Sequence, residues 1–188
     1  WQTVNIGDIA HTPGMLALLE KYLPDVEVRL WPMNIDSAVE RMLRHRFKKL
    51  VIVGGETLKA AFDECDFMLH SSGPSLVAGA DLAKWSEKTG RPYGIFGITF
   101  AAEDNKTIEI VNGARFIFFR DSPSLQFARE HGVKCPVMEV GQDAAFAMDI
   151  WNDEAADKFT RANNLEIGKF ICCIPRLRYT PYWTIKPG

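Results

Sequence analysis

The stretch RFIFFRDSPS, residues Arg115–Ser124, decides the fold of this 188-residue chain. Its first half is a run of aromatic and β-branched residues, which is typical of a strand. Its second half has the signature of a helix start, because Asp121 or Ser122 can cap the first turn and Pro123 fits within it. A strand that leads directly into a helix is the repeating unit of α/β proteins, so the same pattern is expected on either side.

Strand and helix patterns alternate along most of the chain. The predicted helices lie at about 13–23, 37–43, 58–64, 82–88, 124–130 and 154–163, and Asp36 or Ser37 can cap the second of them. The predicted strands lie at 26–30, 50–53, 67–69, 93–96, 115–119, 137–140 and 170–174. This order predicts an α/β protein with a doubly wound, mostly parallel, Rossmann-like sheet.

The pattern predicts one complete domain and the beginning of another. Residues 1–150 are expected to form a Rossmann-like N-terminal domain, and residues 151–188 a linker helix and the first strand of a second, incomplete domain. Turn-like residues at 5–8 precede the first helix without a strand before them, and only a Pro-rich aromatic segment follows 170–174. We therefore expect this sequence to be a piece of a longer protein.

Composition excludes several classes of protein. Apolar residues make up 47% and charged residues 24% of the chain, and the net charge is −2, so we expect a globular protein that binds no nucleic acid. The longest apolar stretch, 94–102, is too short to span a membrane. The four cysteines form no C-x-x-C pair, which favours a reducing, cytoplasmic location, and the four histidines lack metal-ligand spacing. Homo-oligomerisation stays open.

Arg120 is the strongest candidate for ligand binding. In open parallel sheets, ligands bind at the carboxyl ends of the strands, and Arg120 follows an aromatic strand directly. Its guanidinium could grip a carboxylate or a phosphate with two parallel hydrogen bonds. The alternative is that Arg120 pairs internally with Asp121 or Asp143.

A serine- and glycine-rich turn follows the predicted strand 67–69. Its hydroxyls and backbone N–H groups could converge on an anion at a helix start, through Ser71, Ser72, Gly73 and Ser75. The alternative is a tight turn in which Ser75 caps the next helix. The turn matches neither G-x-x-x-x-G-K-[ST] nor G-x-G-x-x-G, which argues against ordinary ATPases and nicotinamide enzymes. The absence of G-x-S-x-G disfavours an esterase.

Other polar residues at the predicted strand ends complete the candidate set. Asp8 could orient a substrate hydroxyl or act as a base, or it could cap the first helix; Asp143 could serve the same chemistry. The remaining predicted substrate contacts at these ends are Asn5, Gly7, His11, Asp121 and Ser124.

In order and spacing, these residues resemble the polysaccharide pyruvyl transferase family. The resemblance covers about residues 5–148 and rests on five short motifs: Asn5-x-Gly7-Asp8, the turn 71–76, Gly90-Arg91-Pro92, Arg120-Asp121-x-x-Ser124 and Gly141-x-Asp143-x-Ala145-Phe146. One departure is Ser71-Ser72-Gly73, where the family usually has three glycines.

The resemblance implies an enzyme that transfers a pyruvyl group from phosphoenolpyruvate to two hydroxyls of a sugar or glycan, forming a ketal and releasing phosphate without a cofactor. It also implies that this domain is one half of a GT-B-like two-domain architecture. Asp8, Arg120 and Asp143 are the predicted catalytic residues, and the fragment alone is expected to be inactive. Two alternatives stay open, namely a non-catalytic module that binds sugar or phosphate and a GT-B-type nucleotide-sugar glycosyltransferase.

Overall fold

The structure is a computed structural model that describes residues 6–101 and 104–173. The helices are α1 Ile6–Tyr22, α2 Ser37–Arg46, α3 Glu56–Glu64, α4 Gly79–Thr89, α5 Asn105–Gly113, α6 Ser122–Glu130 and α7 Asp153–Ala162, with a 3-10 helix at Ala144–Ala147. The strands are β1 Arg29–Leu30, β2 Val51–Ile52, β3 Met68–His70, β4 Tyr93–Ile98, β5 Ile117–Phe119 and β6 Met138–Val140.

All strand pairs in the described residues are parallel. β1 pairs with β2, and β3, β4, β5 and β6 form a four-stranded sheet in that order. Each strand is connected to the next by a helix, because parallel neighbours need a crossover connection. The predicted α/β fold with a Rossmann-like, mostly parallel sheet is confirmed.

Two hydrophobic clusters hold the N-terminal part together. The larger one joins the four-stranded sheet to α4, α5 and α6, and Ile95, Ile117 and Phe119 are completely buried in it. The smaller one joins α1 and α2 to β1 and β2 around Leu43. Burial of large apolar side chains is the main stabilising contribution to both clusters.

Helix capping follows the sequence at two of the predicted sites. Asp36 caps α2 by accepting hydrogen bonds from the backbone N–H groups of Ala38 and Val39. Asp121 caps α6 by accepting from the N–H of Ser124. Ser75, by contrast, does not cap α4, which begins only at Gly79 and has no side-chain cap.

The structure corrects three other predictions. α1 is helical from Ile6 onward, so residues 6–8 are not a turn and Asp8 lies in the first turn rather than at a cap. Pro13 lies inside the helix and is buried, although proline has no N–H to donate there. The short helix α5, capped by Asp104, is not among the predicted helices. Residues 170–173 form no strand and pair with none, and Ile171 is 94% exposed; Ile174 lies outside the described residues.

The chain divides into two compact units, residues 1–149 and 150–188. In the described part of the second unit, α7 is a charged helix without buried residues. That this unit begins an incomplete domain stays a prediction. None of the helices in the described residues combines the length and apolarity needed to cross a membrane.

Candidate functional site

The candidate site depends on a close crossing between α1 and the 3-10 helix. A Cβ atom built at Gly14 would overlap the backbone carbonyl of Ala144, so the two backbones can approach this closely only at a glycine. The crossing brings His11, one turn earlier in α1, beside Asp143, which caps the 3-10 helix.

A second glycine brings the serine-rich turn against β4. Gly97 has a φ of +64° and lies at a register shift between Phe96 and Ile98, where β4 bulges. A Cβ at Gly97 would lie 2.7 Å from the Cβ of Ser72. The N–H of Gly73 donates to the carbonyl of Gly97 at 3.2 Å, which fixes the turn at the sheet edge.

Asp143 is the centre of the site. Its Oδ1 accepts hydrogen bonds from His11 Nδ1 at 2.8 Å, from Ser72 Oγ at 3.1 Å and from the N–H of Ala145 at 2.9 Å. Its Oδ2 accepts from Arg120 Nη1 at 3.3 Å. One carboxylate therefore ties together α1, the β3–α4 turn, the end of β5 and the 3-10 helix.

The protonation of Asp143 follows from these bonds. Burial alone would raise the pKa of the carboxyl, but the hydrogen bonds from His11, the N–H of Ala145 and Ser72 outweigh it and lower the pKa to about 2. Asp143 is therefore a carboxylate across the physiological range.

Arg120 lies at the rim of a cavity and keeps part of its donor capacity. Its Nε donates to Thr99 Oγ1 at 2.5 Å and its Nη1 to Asp143, which confirms internal pairing as one use of the side chain. Of the five N–H donors of a guanidinium, these two bonds leave three without a partner among the described residues. The cavity has a volume of about 430 Å³ and is lined by Arg120, Asp121, Gln142, Asp143 and Phe146.

Several predicted site residues lie close to this centre. Asp8 is three residues before His11 on α1 and shares its helix face, and its partly exposed carboxylate makes no hydrogen bond or ion pair with another described side chain. Gly7 lies in the same first turn of α1. Ser71 Oγ is 3.4 Å from the carbonyl of His11, to which it donates weakly.

The structure places other predicted residues differently. Ser124 is 2% exposed, and its Oγ accepts from the N–H of Phe100, so its hydroxyl is used in the interior. Ser75 is partly exposed and makes no side-chain hydrogen bond with another described residue. Asn5 lies outside the described residues.

Three residues at the site were not among the predicted contacts. Thr99 anchors Arg120, while Gln142 and Phe146 line the cavity. Thr99 immediately follows β4 and Gln142 follows β6, so the rule that ligand-binding residues follow parallel strands could have found both.

His70, at the end of β3, is the one buried side chain in the described residues with an unpaired polar atom. It is 5% exposed, its Nε2 accepts from the N–H of Ala78 at 3.4 Å, and its Nδ1 has no partner. Burial lowers the pKa of His70 to about 4, so the ring is neutral at physiological pH. The described residues contain no group of three or more His, Cys, Asp or Glu side chains that could hold a metal ion.

At this site, Arg120 keeps N–H donors that no described residue uses and bonds to the carboxylate of Asp143, which also orients the ring of His11. The adjoining cavity is large enough for a small anion. Comparison with known proteins gives one match: a family model described as polysaccharide pyruvyl transferase matches residues 5–182. No curated protein and no solved structure matches the chain.

Proposed function

The chain belongs to the polysaccharide pyruvyl transferase family, and from this we propose that it transfers a pyruvyl group from phosphoenolpyruvate to two hydroxyls of a sugar or glycan. The observation that carries the proposal is Arg120, which is anchored at two points and still has donors to spare at the rim of the cavity. Family membership also links the chain to polysaccharide biosynthesis.

The reaction sets clear chemical demands. Two hydroxyl oxygens bond to the C2 carbon of phosphoenolpyruvate, the bond from C2 to the phosphate oxygen breaks, and the methylene carbon becomes a methyl group. One hydroxyl proton ends on that methyl group, and the other leaves on the phosphate. The site must therefore bind a donor with two anionic groups, hold two hydroxyls and move protons.

Arg120 suits the first of these demands. Phosphoenolpyruvate carries a carboxylate and a phosphate, and a guanidinium can bind either with paired, charge-assisted hydrogen bonds. The bonds to Thr99 and Asp143 hold the side chain in place before the donor arrives, which lowers the entropic cost of binding. Because Asp143 repels an anion, we expect the donor to bind at the Nη2 side of the guanidinium, away from that carboxylate.

Three further features belong to the proposal. The reaction takes place in the cleft of a GT-B-like two-domain architecture, the location is cytoplasmic, and no cofactor is required. The active species is the full-length protein, with further donor-binding groups supplied from outside this domain.

The test is phosphate release by the full-length protein from phosphoenolpyruvate, in the presence of methyl glycosides of galactose, glucose or mannose. Arg120→Lys keeps the charge and removes the fork, and we expect kcat/KM for phosphoenolpyruvate to fall about 100-fold, mainly through KM. Arg115→Lys is the matched control, because Arg115 is exposed and forms no ion pair with another described residue. Equal activity of the two variants would refute the role of Arg120.

The same assay separates the alternatives. Glycan binding without phosphate release would favour the non-catalytic module. Turnover that requires a nucleotide sugar in place of phosphoenolpyruvate would favour the glycosyltransferase. Either result would refute pyruvyl transfer by this protein.

A further inference from the structure

His11 is bonded at one ring nitrogen and open at the other. Its Nδ1 lies 2.8 Å from Asp143 Oδ1 and 2.8 Å from Ser72 Oγ. Its Nε2 makes no hydrogen bond with another described residue, and it is not among the buried unpaired atoms. The side chain is 12% exposed, so the ring is held at Nδ1 by two partners and is only partly shielded from solvent.

We infer that His11 is a catalytic base of the transfer, with Nε2 taking the proton of the attacking hydroxyl, and that Asp143 and Ser72 are positioning residues that hold its ring. This inference rests on the proposed pyruvyl transfer and names the group that handles its protons.

The bonds at Nδ1 select the required tautomer. Asp143 is a carboxylate and can only accept, so the Nδ1 atom that faces it carries the hydrogen. In the neutral ring, Nε2 then carries the lone pair and can accept a proton. The carboxylate also stabilises the imidazolium that forms, which is the usual contribution of such a partner.

The other candidates for the base are less suitable. Asp143 has both oxygens occupied, and with a pKa of about 2 it is a weak base. Asp8 lies on the same face of α1, but no described side chain holds its carboxylate in one direction. His70 is buried and its Nε2 is occupied by the N–H of Ala78.

The position of His11 relative to Arg120 fits a two-substrate reaction. Both side chains bond to the same carboxylate, His11 at Oδ1 and Arg120 at Oδ2, so one carboxyl group separates them. We place the donor anion on Arg120 and the sugar hydroxyl on His11 Nε2, on either side of this shared carboxyl group. The charged groups nearest to His11 in this network are Asp143, which bonds to it, Arg120, which bonds to Asp143, and Asp8, three residues earlier on α1.

The first sugar hydroxyl adds across the double bond of the donor and the second displaces the phosphate. In each step the O–H bond of the sugar breaks, Nε2 gains the proton and the oxygen bonds to C2 of the donor. The first proton is passed to the methylene carbon, which becomes the methyl group. The second leaves with the phosphate as hydrogenphosphate, when the bond between C2 and the phosphate oxygen breaks. The ring returns to its neutral form after each transfer.

The decisive variant is His11→Asn in the full-length protein. The asparagine amide can replace Nδ1 as donor to Asp143 but has no proton acceptor in place of Nε2, so a purely structural role would survive the change. We expect kcat for phosphate release to fall about 100- to 10,000-fold, while KM for phosphoenolpyruvate changes less than about threefold. The decline of wild-type kcat at acidic pH should disappear in this variant.

Retention of more than about a third of wild-type kcat by His11→Asn would overturn the assignment of His11 and leave pyruvyl transfer standing. Absence of phosphate release in the wild-type protein, with all three methyl glycosides, would instead overturn the transfer and the inference together. Calorimetric titration of both proteins with phosphoenolpyruvate serves as the folding control, and equal affinities are expected. Weakened donor binding in the variant would contradict a role limited to proton transfer.

Discussion

The Arg120 cavity and a groove between α3 and α4, both within the described residues, have similar sizes but very different construction. The Arg120 cavity has a volume of about 430 Å³, and the groove between α3 and α4 has about 550 Å³. The groove is lined by Leu58, Lys59, Phe62, Asp63, Lys84, Lys88, Thr89 and Arg91. The larger opening has more cationic side chains, yet the smaller one has the organisation of a site.

The difference lies in what the charged groups contact. In the groove, Lys59 pairs with Glu56 one turn away, and Arg91 donates to backbone carbonyls at the end of α3, where a cation satisfies the last carbonyls of the helix. Lys84 and Lys88 are exposed and form no ion pair with another described residue. At the Arg120 cavity, by contrast, the carboxylate of Asp143 bonds to the side chains of Arg120 and His11, and Arg120 keeps donors without a partner among the described residues. The network of side chains around Asp143, rather than the volume of the opening, therefore identifies the site.

Of the substitutions that test this difference, Gly14→Ala should cause the largest loss of activity and stability. The new methyl group would overlap the carbonyl of Ala144, so α1 and the 3-10 helix must separate and His11 must leave Asp143. We expect complete loss of phosphate release and a fall of about 3 kcal/mol in the free energy of unfolding in urea. Gly54→Ala is the control, because nothing lies within 4 Å of its added Cβ. Wild-type stability and activity in Gly14→Ala would show that the crossing does not build the site.

The free energy of unfolding should fall at acidic pH mainly because of His70, which directly precedes the serine-rich turn of the site. The unfolded chain protonates His70 below about pH 6.5, whereas the folded protein does so only below about pH 4. The resulting stabilisation is complete above pH 6.5 and is lost as the pH falls toward 4. Between pH 7 and pH 4.5, the wild type should lose about 2 kcal/mol more than His70→Gln, measured by urea unfolding. Lys84→Gln should follow the wild type, and parallel curves for wild type and His70→Gln would rule out a buried neutral histidine.

Asp143 should give a smaller effect at lower pH. Its lowered pKa means that its stabilisation is complete above about pH 4 and is lost as the pH falls toward 2. The difference in unfolding free energy between wild type and Asp143→Asn should therefore shrink by about 1 to 2 kcal/mol between pH 5 and pH 2. Glu139→Gln, at an exposed residue of β6, serves as the matched control. A constant difference would mean that the carboxylate is not held by these hydrogen bonds.

The smallest effect is expected in the groove. The double variant Lys84→Gln, Lys88→Gln removes two exposed cations, and Lys84 Nζ lies 6.0 Å from the ring centroids of Trp31 and Phe62, a weak contact. We expect kcat/KM within about twofold of wild type and stability within about 1 kcal/mol. A tenfold loss of activity would overturn the contrast between the two openings.

Local signals in the sequence predicted much of the fold. Asp36 and Asp121 were recognisable as caps because a carboxylate at a helix start has a local partner within three residues. The start of α1 was not predictable in this way, because a proline is normally found in the first turn of a helix, whereas Pro13 lies well inside α1. The strand predicted at 170–174 failed over 170–173, since an apolar run forms a strand only where another strand pairs with it.

For the candidate site, the sequence identified residues but not their roles. Asp143, Arg120, His11 and Ser72 were each predicted from their places after strands or beside the first helix. Their arrangement depends on contacts across 61 and 132 positions of chain, which His11 makes with Ser72 and Asp143. No local spacing encodes such contacts. The glycines that permit them, Gly14 and Gly97, signal only that a close approach is allowed.

The most direct test of the account is the mass of a methyl glycoside after incubation with the full-length protein and phosphoenolpyruvate. The account predicts a glycoside heavier by pyruvate less one water, formed together with an equal amount of phosphate. With phosphoenolpyruvate well below the wild-type KM, it predicts an initial rate of product formation about 100-fold lower for Arg120→Lys and at least about 100-fold lower for His11→Asn. Phosphate release without a change in the mass of the glycoside, or equal product from wild type and both variants, would contradict it.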